Sequence, residues 1–329
     1  MPTKTMKAPV RGRTADGKRM SGKKQPGNDA DLYLGVDVGG TKIAAGLVTA
    51  EGDILERRTE ATDQGGADAS IAQLIRVIRY YERFGMKGIG IGIPGIAESR
   101  SGLVWAPNIQ GWDYIPLAQR LSAATGIPPT VESDRNTGVL GELLFGAARG
   151  CRDVVYLILG TGIGAGIITG GRLLRGAHDI GGAVGWIPVV FGGRQYHLEE
   201  VAAGPAVLRH AAARGLPDQV PDLTQLAGRG DASALTLFRE VGEALGQGLA
   251  ILVSVLDPEL MLLGGGVSRS WKWLRAGAED SMGAWSQPEA LKKVQVQVSR
   301  LGVDAGILGA AAAARLATIE REGGTTDER

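Results

Sequence analysis

The chain has 329 residues, 44% of them hydrophobic, so it can bury a large core, and its length favours two domains over one. Its 36 basic and 35 acidic residues nearly cancel, which argues against a nucleic-acid binder, and no stretch approaches the roughly 20 consecutive apolar residues of a membrane span. Cys151 is the single cysteine, which excludes an intramolecular disulfide and a thiolate-rich zinc site and fits a reducing cytoplasm.

The first segment, residues 1–30, is rich in lysine and arginine and has almost no apolar residues, which predicts a disordered basic tail. It lacks the apolar stretch of a secretory signal. A basic tail can touch nucleic acid or anionic lipid. The favoured interpretation is a solvated extension, or a start codon further along at Met6 or Met20.

After the tail, short apolar runs bounded by glycine alternate with helical patterns, which predicts an α/β protein. We expect strands near residues 32–37, 43–50, 53–60, 88–93 and 102–106. Ile71, Leu74, Ile75 and Ile78 recur at helical spacing, and Gly85 follows where a helix end would need it. This segment is predicted to be an amphipathic helix that covers a sheet.

A second half begins at "DVVYLILGTGIGAGIITGGRLL", which repeats the strand, glycine turn and strand of "LGVDVGGTKIAAGLV". Apolar residues between Asp231 and Leu256 recur at helical spacing and predict a long helix, and "ELMLLGGG" then predicts a buried strand. An alanine-rich last helix, at about 305–320, is expected to pack back on the first half. The predicted domains are therefore 31–132, joined by that last helix, and 133–304.

The first glycine turn follows a strand that carries Asp37 near its end, and it consists of Gly39, Gly40, Thr41 and Lys42. Consecutive glycines let several backbone N–H groups approach a polyphosphate. Asp37 would repel that phosphate unless Mg²⁺ lies between them. A plain hairpin turn is the alternative. The order of threonine before lysine is not that of a Walker A loop.

Two further glycine turns follow buried strands: Gly160, Thr161 and Gly162, and then Gly264, Gly265 and Gly266. Turns from two halves could clamp one polyphosphate, and the third could leave room for a purine ring. The ordered trio favours a nucleotide site over three unrelated hairpins. "GIGIPG", from Gly90 to Gly95, matches G-x-G-x-x-G, but no amphipathic helix follows it, so a Rossmann site is not favoured.

The ordered blocks of the chain resemble the ROK family (repressors, open reading frames and sugar kinases) from about Leu32 to about Leu316. They are "GVDVGGTK", "GIGIPG", "PNIQGW", "ESDRNTGVLGE", "LGTGIGAGI", "GAHDIGGAVGW", "LDPELMLLGGGV" and "DAGILGAA". The resemblance implies a two-domain actin-like, hexokinase-like ATPase fold of the ribonuclease H-like type, with an interdomain cleft. It also implies that the first and fifth blocks hold ATP phosphates, that the seventh borders the adenosine, and that the protein is a homodimer or homotetramer.

Asp134 in "VESDRN" aligns with the aspartate of the family's N-D-x-N block, which implies a general base for the acceptor hydroxyl. A role as N-cap of the following helix is compatible with that function. The resemblance also places Gly95, Asn108 and Glu199 at the sugar. Ser133 and Trp186 are predicted to belong to the same substrate site as Asp134.

Three positions depart from the family pattern: Ser133 replaces an asparagine, and Ala183 and Trp186 replace the glutamate and histidine of E-x-G-H. Two hydroxyl-binding side chains are thus missing, which argues against glucose held by the standard contacts. Trp186 either stacks on a sugar or cyclitol, or fills the vacated space; Trp112 has the same two alternatives. "GGRQYHLEE" replaces the family's C-x-C-G-x-x-G-C run, so no zinc site is expected.

The sequence therefore predicts a cytoplasmic, glucokinase-like kinase that uses ATP and Mg²⁺ to phosphorylate a hydroxyl, the primary 6-hydroxyl, of a hexose, hexose-like sugar or polyol. The alternatives are a kinase for an amino sugar or cyclitol, and a non-catalytic sugar-sensing pseudokinase or regulator. The tail has no room for a helix-turn-helix reader, and retention of Asp37 and Asp134 argues against a binding-only protein. Polyphosphate as the donor stays open.

Overall fold

The computed structural model describes residues 31–323, so the predicted tail at 1–30 lies outside the described residues. In this range the strands are β1 (Leu32–Val38), β2 (Lys42–Thr49), β3 (Ile54–Ala61), β4 (Gly88–Ile93), β5 (Ile96–Ala97), β6 (Val104–Trp105), β7 (Thr130–Ser133), β8 (Val154–Leu159), β9 (Ile163–Thr169), β10 (Arg172–Leu173), β11 (Pro188–Phe191), β12 (Arg194–His197), β13 (Leu260–Gly264) and β14 (Gln295–Val298). The α-helices of the same range are α1 (Ala67–Glu82), α2 (Leu117–Thr125), α3 (Asp134–Phe145), α4 (Leu198–Ala202), α5 (Gly204–Ala212), α6 (Val220–Gly228), α7 (Ala232–Leu256), α8 (Trp271–Trp285), α9 (Pro288–Leu291) and α10 (Ala305–Gly323).

Two larger sheets within residues 31–323 share one topology. Their strand orders are β3-β2-β1-β4-β7 and β10-β9-β8-β13-β14. In each sheet the first three strands are antiparallel, and the central strand and the two that follow it are parallel. This repeat confirms the prediction of two similar halves in an α/β protein. The domain boundary between residues 132 and 133 stays a prediction.

Most of the predicted strands in the first half are confirmed to within a residue or two. The exception is the strand predicted over 102–106, which is reduced to β6 and pairs with the equally short β5. Pro107 follows almost at once, and its ring removes the backbone donor that a longer ladder would need. Ile109 and Trp112 are buried just beyond, so the apolar residues of this segment still enter the core.

The predicted helices α1 and α7 are also confirmed. α1 buries Ile71, Leu74 and Ile78 against the first sheet, as their spacing requires. α7 begins after Asp231, whose side chain accepts a hydrogen bond from the Ala234 N–H at 2.9 Å. This is the capping interaction that such residues supply at helix starts.

The last helix, α10, packs on the first sheet and on α3. It therefore packs back on the first half of the chain, as predicted. Glycines permit this approach, because a Cβ at Gly35 would lie 2.0 Å from the Ile307 carbonyl oxygen, and one at Gly90 would lie 1.7 Å from that of Ala310. The segment Gly302–Glu322 is long and apolar enough to cross a membrane, with a mean hydropathy of 1.3. Half of it is buried inside the protein, which is typical of a core helix.

Candidate active site

The first glycine turn joins β1 to β2 and lies against a loop from the same half. The Gly39 N–H donates to the Lys42 carbonyl at 2.8 Å, and the Thr62 hydroxyl donates to the Gly39 carbonyl at 2.6 Å. Gly40 is needed for close packing, because a Cβ there would lie 2.4 Å from the Asn108 carbonyl oxygen. The turn is therefore fixed next to Asn108, one of the residues predicted to bind the sugar acceptor.

A cavity of about 630 Å³ lies between the first and second glycine turns. Residues 39–42 of the first turn and 160–164 of the second turn line it. Gly95, Asn108, Asp134 and Glu199 line the same cavity. The structure thus brings two glycine turns from different sheets, both candidates for phosphate binding, together with the predicted base. Three residues predicted to bind the sugar acceptor lie on the same wall.

A second cavity of about 690 Å³ shares Gly160 and Thr161 with the first. Gly266 lines it, together with α5 and α6, and its volume is in the range of small-molecule sites. Gly264 and Gly265 do not line it. A Cβ on Gly264 would lie 2.1 Å from the Tyr156 hydroxyl oxygen, and Gly265 has a φ of 83°, so these two residues shape the turn behind Gly266. Sequence reasoning missed the helical walls, because Gly204 is a single glycine outside any glycine turn and no charged residue of α5 or α6 lines the cavity.

Asp134 is the first residue of α3, directly after the buried end of β7. Ser133 occupies the N-cap position, so the alternative that Asp134 is the N-cap is wrong. The Oδ1 of Asp134 accepts a hydrogen bond from the Arg135 backbone N–H at 2.8 Å. Burial, and next the charge of Asp37, raise the pKa of Asp134 to about 6. Above that pH the group is a carboxylate that is basic enough to accept a proton from an alcohol in a transition state.

Asp37 is the second acid of the site, although it does not itself line the 630 Å³ cavity. Burial raises its pKa, and the charge of Lys42 opposes that effect. Within residues 31–323 no arginine or lysine forms an ion pair with it. A desolvated carboxylate beside a second carboxylate, behind a turn that could hold phosphate, is a suitable oxygen donor for Mg²⁺. No cluster of three or more metal-binding side chains lies in the described part of the chain, and the absence of zinc stays a prediction.

Three other predicted or considered residues lie off the cavity wall. Ser133 is buried, and its hydroxyl has no hydrogen-bond partner within residues 31–323. Trp186 is 65% exposed and lies against His197, with ring centroids 4.9 Å apart, so it fills no interior space. Trp112 is buried, and its Nε1 donates to the Ser70 hydroxyl at 2.8 Å, which makes it a core residue.

Two charged side chains, Glu199 and Arg135, also line the cavity wall. Glu199, in the first turn of α4, reaches the second glycine turn, where its Oε2 lies 3.5 Å from the Ile163 N–H. Arg135 lines the cavity beside Asp134 and donates from a terminal nitrogen to the Asp179 carbonyl at 3.1 Å. Sequence reasoning missed Arg135, although a charge directly after the base in "VESDRN" was a signal.

Two sheets of one topology, each with a glycine turn at a common cavity, define a protein of the actin-like ATPase fold. The sequence model of the ROK family matches residues 33–316, and the chain belongs to this family. It is 34% identical over 304 residues to the glucokinase of Thermotoga maritima. The matched region covers 84% of this chain and 95% of that protein.

Solved structures agree with this assignment. The ROK hexokinase from Thermus thermophilus has a TM-score of 0.76 and 34% identity, with 88% of this chain and 99% of that chain covered. A ROK family glucokinase from Streptomyces griseus, in complex with glucose and AMPPNP, has a TM-score of 0.73 and 35% identity, with 87% and 99% covered. The predicted family and fold are confirmed.

Proposed function

We propose that the chain is an ATP-dependent, glucokinase-like sugar kinase, which phosphorylates a hydroxyl of a hexose or hexose-like acceptor. The observation that carries the proposal is that Asp134 and the first and second glycine turns line one cavity. The similarity to glucokinases, one of them in complex with glucose and the ATP analogue AMPPNP, supports a sugar acceptor and a nucleotide donor.

The nucleotide lies across the two cavities in this proposal. Backbone N–H groups of both turns, with Thr41, Lys42 and Thr161, contact the phosphates, because such turns form anion-binding concavities. The adenosine occupies the cavity lined by Gly266. Mg²⁺, when bound to the phosphates, neutralises their charge, and Asp37 is the residue that would hold it, through bound water or directly.

The acceptor lies against Asp134 in the 630 Å³ cavity. Only Oδ1 of Asp134 is hydrogen bonded within the described residues, so Oδ2 remains to take the proton of the attacking hydroxyl. Asn108 and Glu199 hydrogen-bond other hydroxyls. Gly95 lines the same cavity through its backbone, because the Trp105 carbonyl occupies the place of its missing Cβ. The primary 6-hydroxyl is the proposed site of phosphorylation. Movement of the two proposed domains, 31–132 and 133–304, would exclude water as a competing acceptor.

Further properties follow from the same proposal. An ATP-consuming sugar kinase acts where ATP is available, so we infer a cytoplasmic protein. A homodimer or homotetramer without nucleic-acid or membrane partners stays a prediction. Exposed apolar side chains on α7 and α8, Val255 at 74% and Trp285 at 72%, are compatible with contact between copies.

An assay of acceptor-dependent ADP release tests the function. The purified protein is given ATP and Mg²⁺ with a panel of hexoses, amino sugars, polyols and cyclitols, and the same panel is run with polyphosphate as donor. We expect ADP release with ATP and a hexose-like acceptor. ATP binding without ADP release for any acceptor would favour a sensor over a kinase and refute the proposal.

A further inference from the structure

Asp179 connects two parts of the chain that each contribute to the proposed acceptor wall. Its Oδ2 accepts hydrogen bonds from the Ser99 N–H at 3.0 Å and from the Ser99 hydroxyl at 3.2 Å. Its backbone carbonyl accepts a hydrogen bond from a terminal nitrogen of Arg135 at 3.1 Å. Ser99 lies in the loop between β5 and β6, whereas Arg135 follows the candidate base Asp134 on α3. Asp179 therefore joins a loop of the first half to the helix that carries the base.

The hairpin of β5 and β6 lies between two residues of the acceptor wall, Gly95 and Asn108. Gly95 directly precedes β5, and a Cβ there would lie 2.0 Å from the carbonyl oxygen of Trp105 on β6. Asn108 follows shortly after β6, and its carbonyl lies against Gly40 of the first glycine turn. Both wall residues line the 630 Å³ cavity. The hydrogen bonds that hold Ser99 thus also hold this hairpin and the wall next to it.

Two local features of Asp179 are unfavourable for folding. Its φ is 55°, in the left-handed region, which aspartate adopts more readily than most residues but still at a cost. Its Oδ1 is buried and has no hydrogen-bond partner within residues 31–323, so it lacks the hydrogen bonds that water would give it. Unfavourable backbone conformations of this kind concentrate at functional sites, where the surrounding structure holds them in place. Both features are therefore consistent with a functional role for Asp179.

The loop that carries Asp179 is also attached near its start. Arg175, just after β10, forms an ion pair with Glu132 on β7 of the first sheet. Glu132 in turn accepts a hydrogen bond from the Asn136 Nδ2 on α3 at 3.0 Å. These contacts hold the loop beside α3, and the contact with Ser99 is the one that reaches the β5 and β6 hairpin. Loss of the Asp179 carboxylate would therefore release the hairpin and leave the loop in place.

We propose that Asp179 is a positioning residue for the acceptor, which holds the β5 and β6 hairpin so that Asn108 and Asp134 contact the same sugar. This inference rests on the proposed kinase function and extends it. When the hydrogen bonds to Ser99 are lost, the hairpin can move, the acceptor loses contacts, and water enters the cavity. Water in the place of the acceptor gives a proton to Asp134 and forms a bond to the γ-phosphorus of ATP. The bond from that phosphorus to the bridging oxygen of ADP breaks, and the products are ADP and inorganic phosphate.

Asp179→Gly in the full chain is the main test, because glycine adopts the left-handed φ without strain and lacks the carboxylate. With ATP, Mg²⁺ and the sugar that the wild type phosphorylates best, we expect the KM for the sugar to rise roughly 10-fold, since two hydrogen bonds to a carboxylate are lost. The KM for ATP should change no more than about twofold. The wild type should form ADP and phosphorylated sugar in equal amounts, whereas the variant should release more ADP than phosphorylated sugar.

Other variants separate the hydrogen bonds from the backbone. Ser99→Ala removes the hydroxyl donor and keeps the N–H, so the KM for the sugar should rise less, and combining it with Asp179→Gly should add nothing further. Asp179→Asn keeps one side-chain acceptor, should give an intermediate KM, and remains informative if Asp179→Gly is unstable. Asp257→Gly is the matched control, because it replaces another left-handed aspartate, with a φ of 46°, at the end of α7. It should leave both KM values unchanged.

Binding of AMPPNP by each variant verifies folding. A lower free energy of unfolding for Asp179→Gly, with an unchanged KM for the sugar and equal amounts of both products, would show a structural role alone and overturn this inference. Equal increases in the KM for ATP and for the sugar would also overturn it and leave the kinase function intact. Absence of transfer by the wild type to any acceptor would refute the kinase function itself, and this inference with it.

Discussion

Replacement of Asp134 by asparagine tests both the mechanism and the energetic cost of the site. Asparagine keeps the shape of the side chain and an oxygen for the Arg135 N–H, but it cannot take the proton of the acceptor hydroxyl. A general base contributes roughly 10²- to 10⁴-fold, so kcat with a verified acceptor should fall by about that factor. AMPPNP binding should persist, because the proposed nucleotide contacts come from the glycine turns.

The same substitution should stabilise the folded protein at neutral pH. Burial, and then Asp37, raise the pKa of Asp134 from 3.8 to about 6. At about 1.4 kcal/mol for each pH unit, this is a cost of at most about 3 kcal/mol to the folded state. The folded protein binds this proton more tightly than the unfolded chain, so this contribution to the free energy of unfolding is largest below about pH 4 and is lost as the pH rises through about 6.

Urea unfolding of the protein without nucleotide or Mg²⁺, at pH 4 and pH 7.5, measures this effect. The free energy of unfolding of Asp134→Asn should exceed that of the wild type by up to about 3 kcal/mol at pH 7.5 and by almost nothing at pH 4. Asp218→Asn, at an exposed position, is the control and should show no such difference. In the wild type, kcat/KM should fall as the pH drops below about 6, where Asp134 becomes protonated. The reasoning is refuted if Asp134→Asn turns over a verified acceptor at a comparable rate, or gains no stability at pH 7.5.

Three further predictions follow from other parts of the structure. Gly306→Ala should displace the Asp37 carboxylate, because a Cβ there would lie 2.3 Å from its Oδ2, and should weaken Mg²⁺-dependent AMPPNP binding about 10-fold in a titration. Gly283→Ala, where a Cβ would meet nothing within 4 Å, is its control, and equal binding by both variants would contradict the role of Asp37. Trp186→Ala should change kcat/KM no more than about twofold in steady-state kinetics, because the ring is exposed and off the cavity wall, and a larger loss would support stacking on the acceptor. Phe238→Ala should lower the free energy of unfolding by about 3–5 kcal/mol in denaturant titration, since the ring is fully buried, and a cost below about 1 kcal/mol would show that this core is loosely packed.

Much of the fold could be predicted from the sequence, because apolar periodicity reports burial directly. The buried strands β1, β4 and β13 and the amphipathic helices α1 and α7 have strong local patterns. Weak elements were missed or given wrong bounds for a physical reason. Local patterns missed β5 and the hairpin of β11 and β12, and they predicted β6 too long, over 102–106. These strands are too short to carry a period, so only tertiary contacts define them.

The candidate site was predicted in part, since glycine turns and single acids leave local signals. The positions of Gly39, Gly162 and Asp134 along the chain suggested a shared site, and the structure places all three on one cavity wall. The exposure of Trp186 had no such signal, because a tryptophan in a loop can point inward or outward with the same sequence. The hydrogen bond from Arg135 to the Asp179 carbonyl joins residues 44 positions apart, which no local pattern reveals.

The placement of α10 has a consequence for the order in which the protein matures on the ribosome. This helix leaves the exit tunnel after β14, yet it covers strands that were made first, at Gly35 and Gly90. It also contacts α3, whose first residue is Asp134. The nascent chain therefore exposes the face of the first sheet that α10 covers, and leaves α3 without one of its packing partners, until α10 has been synthesised.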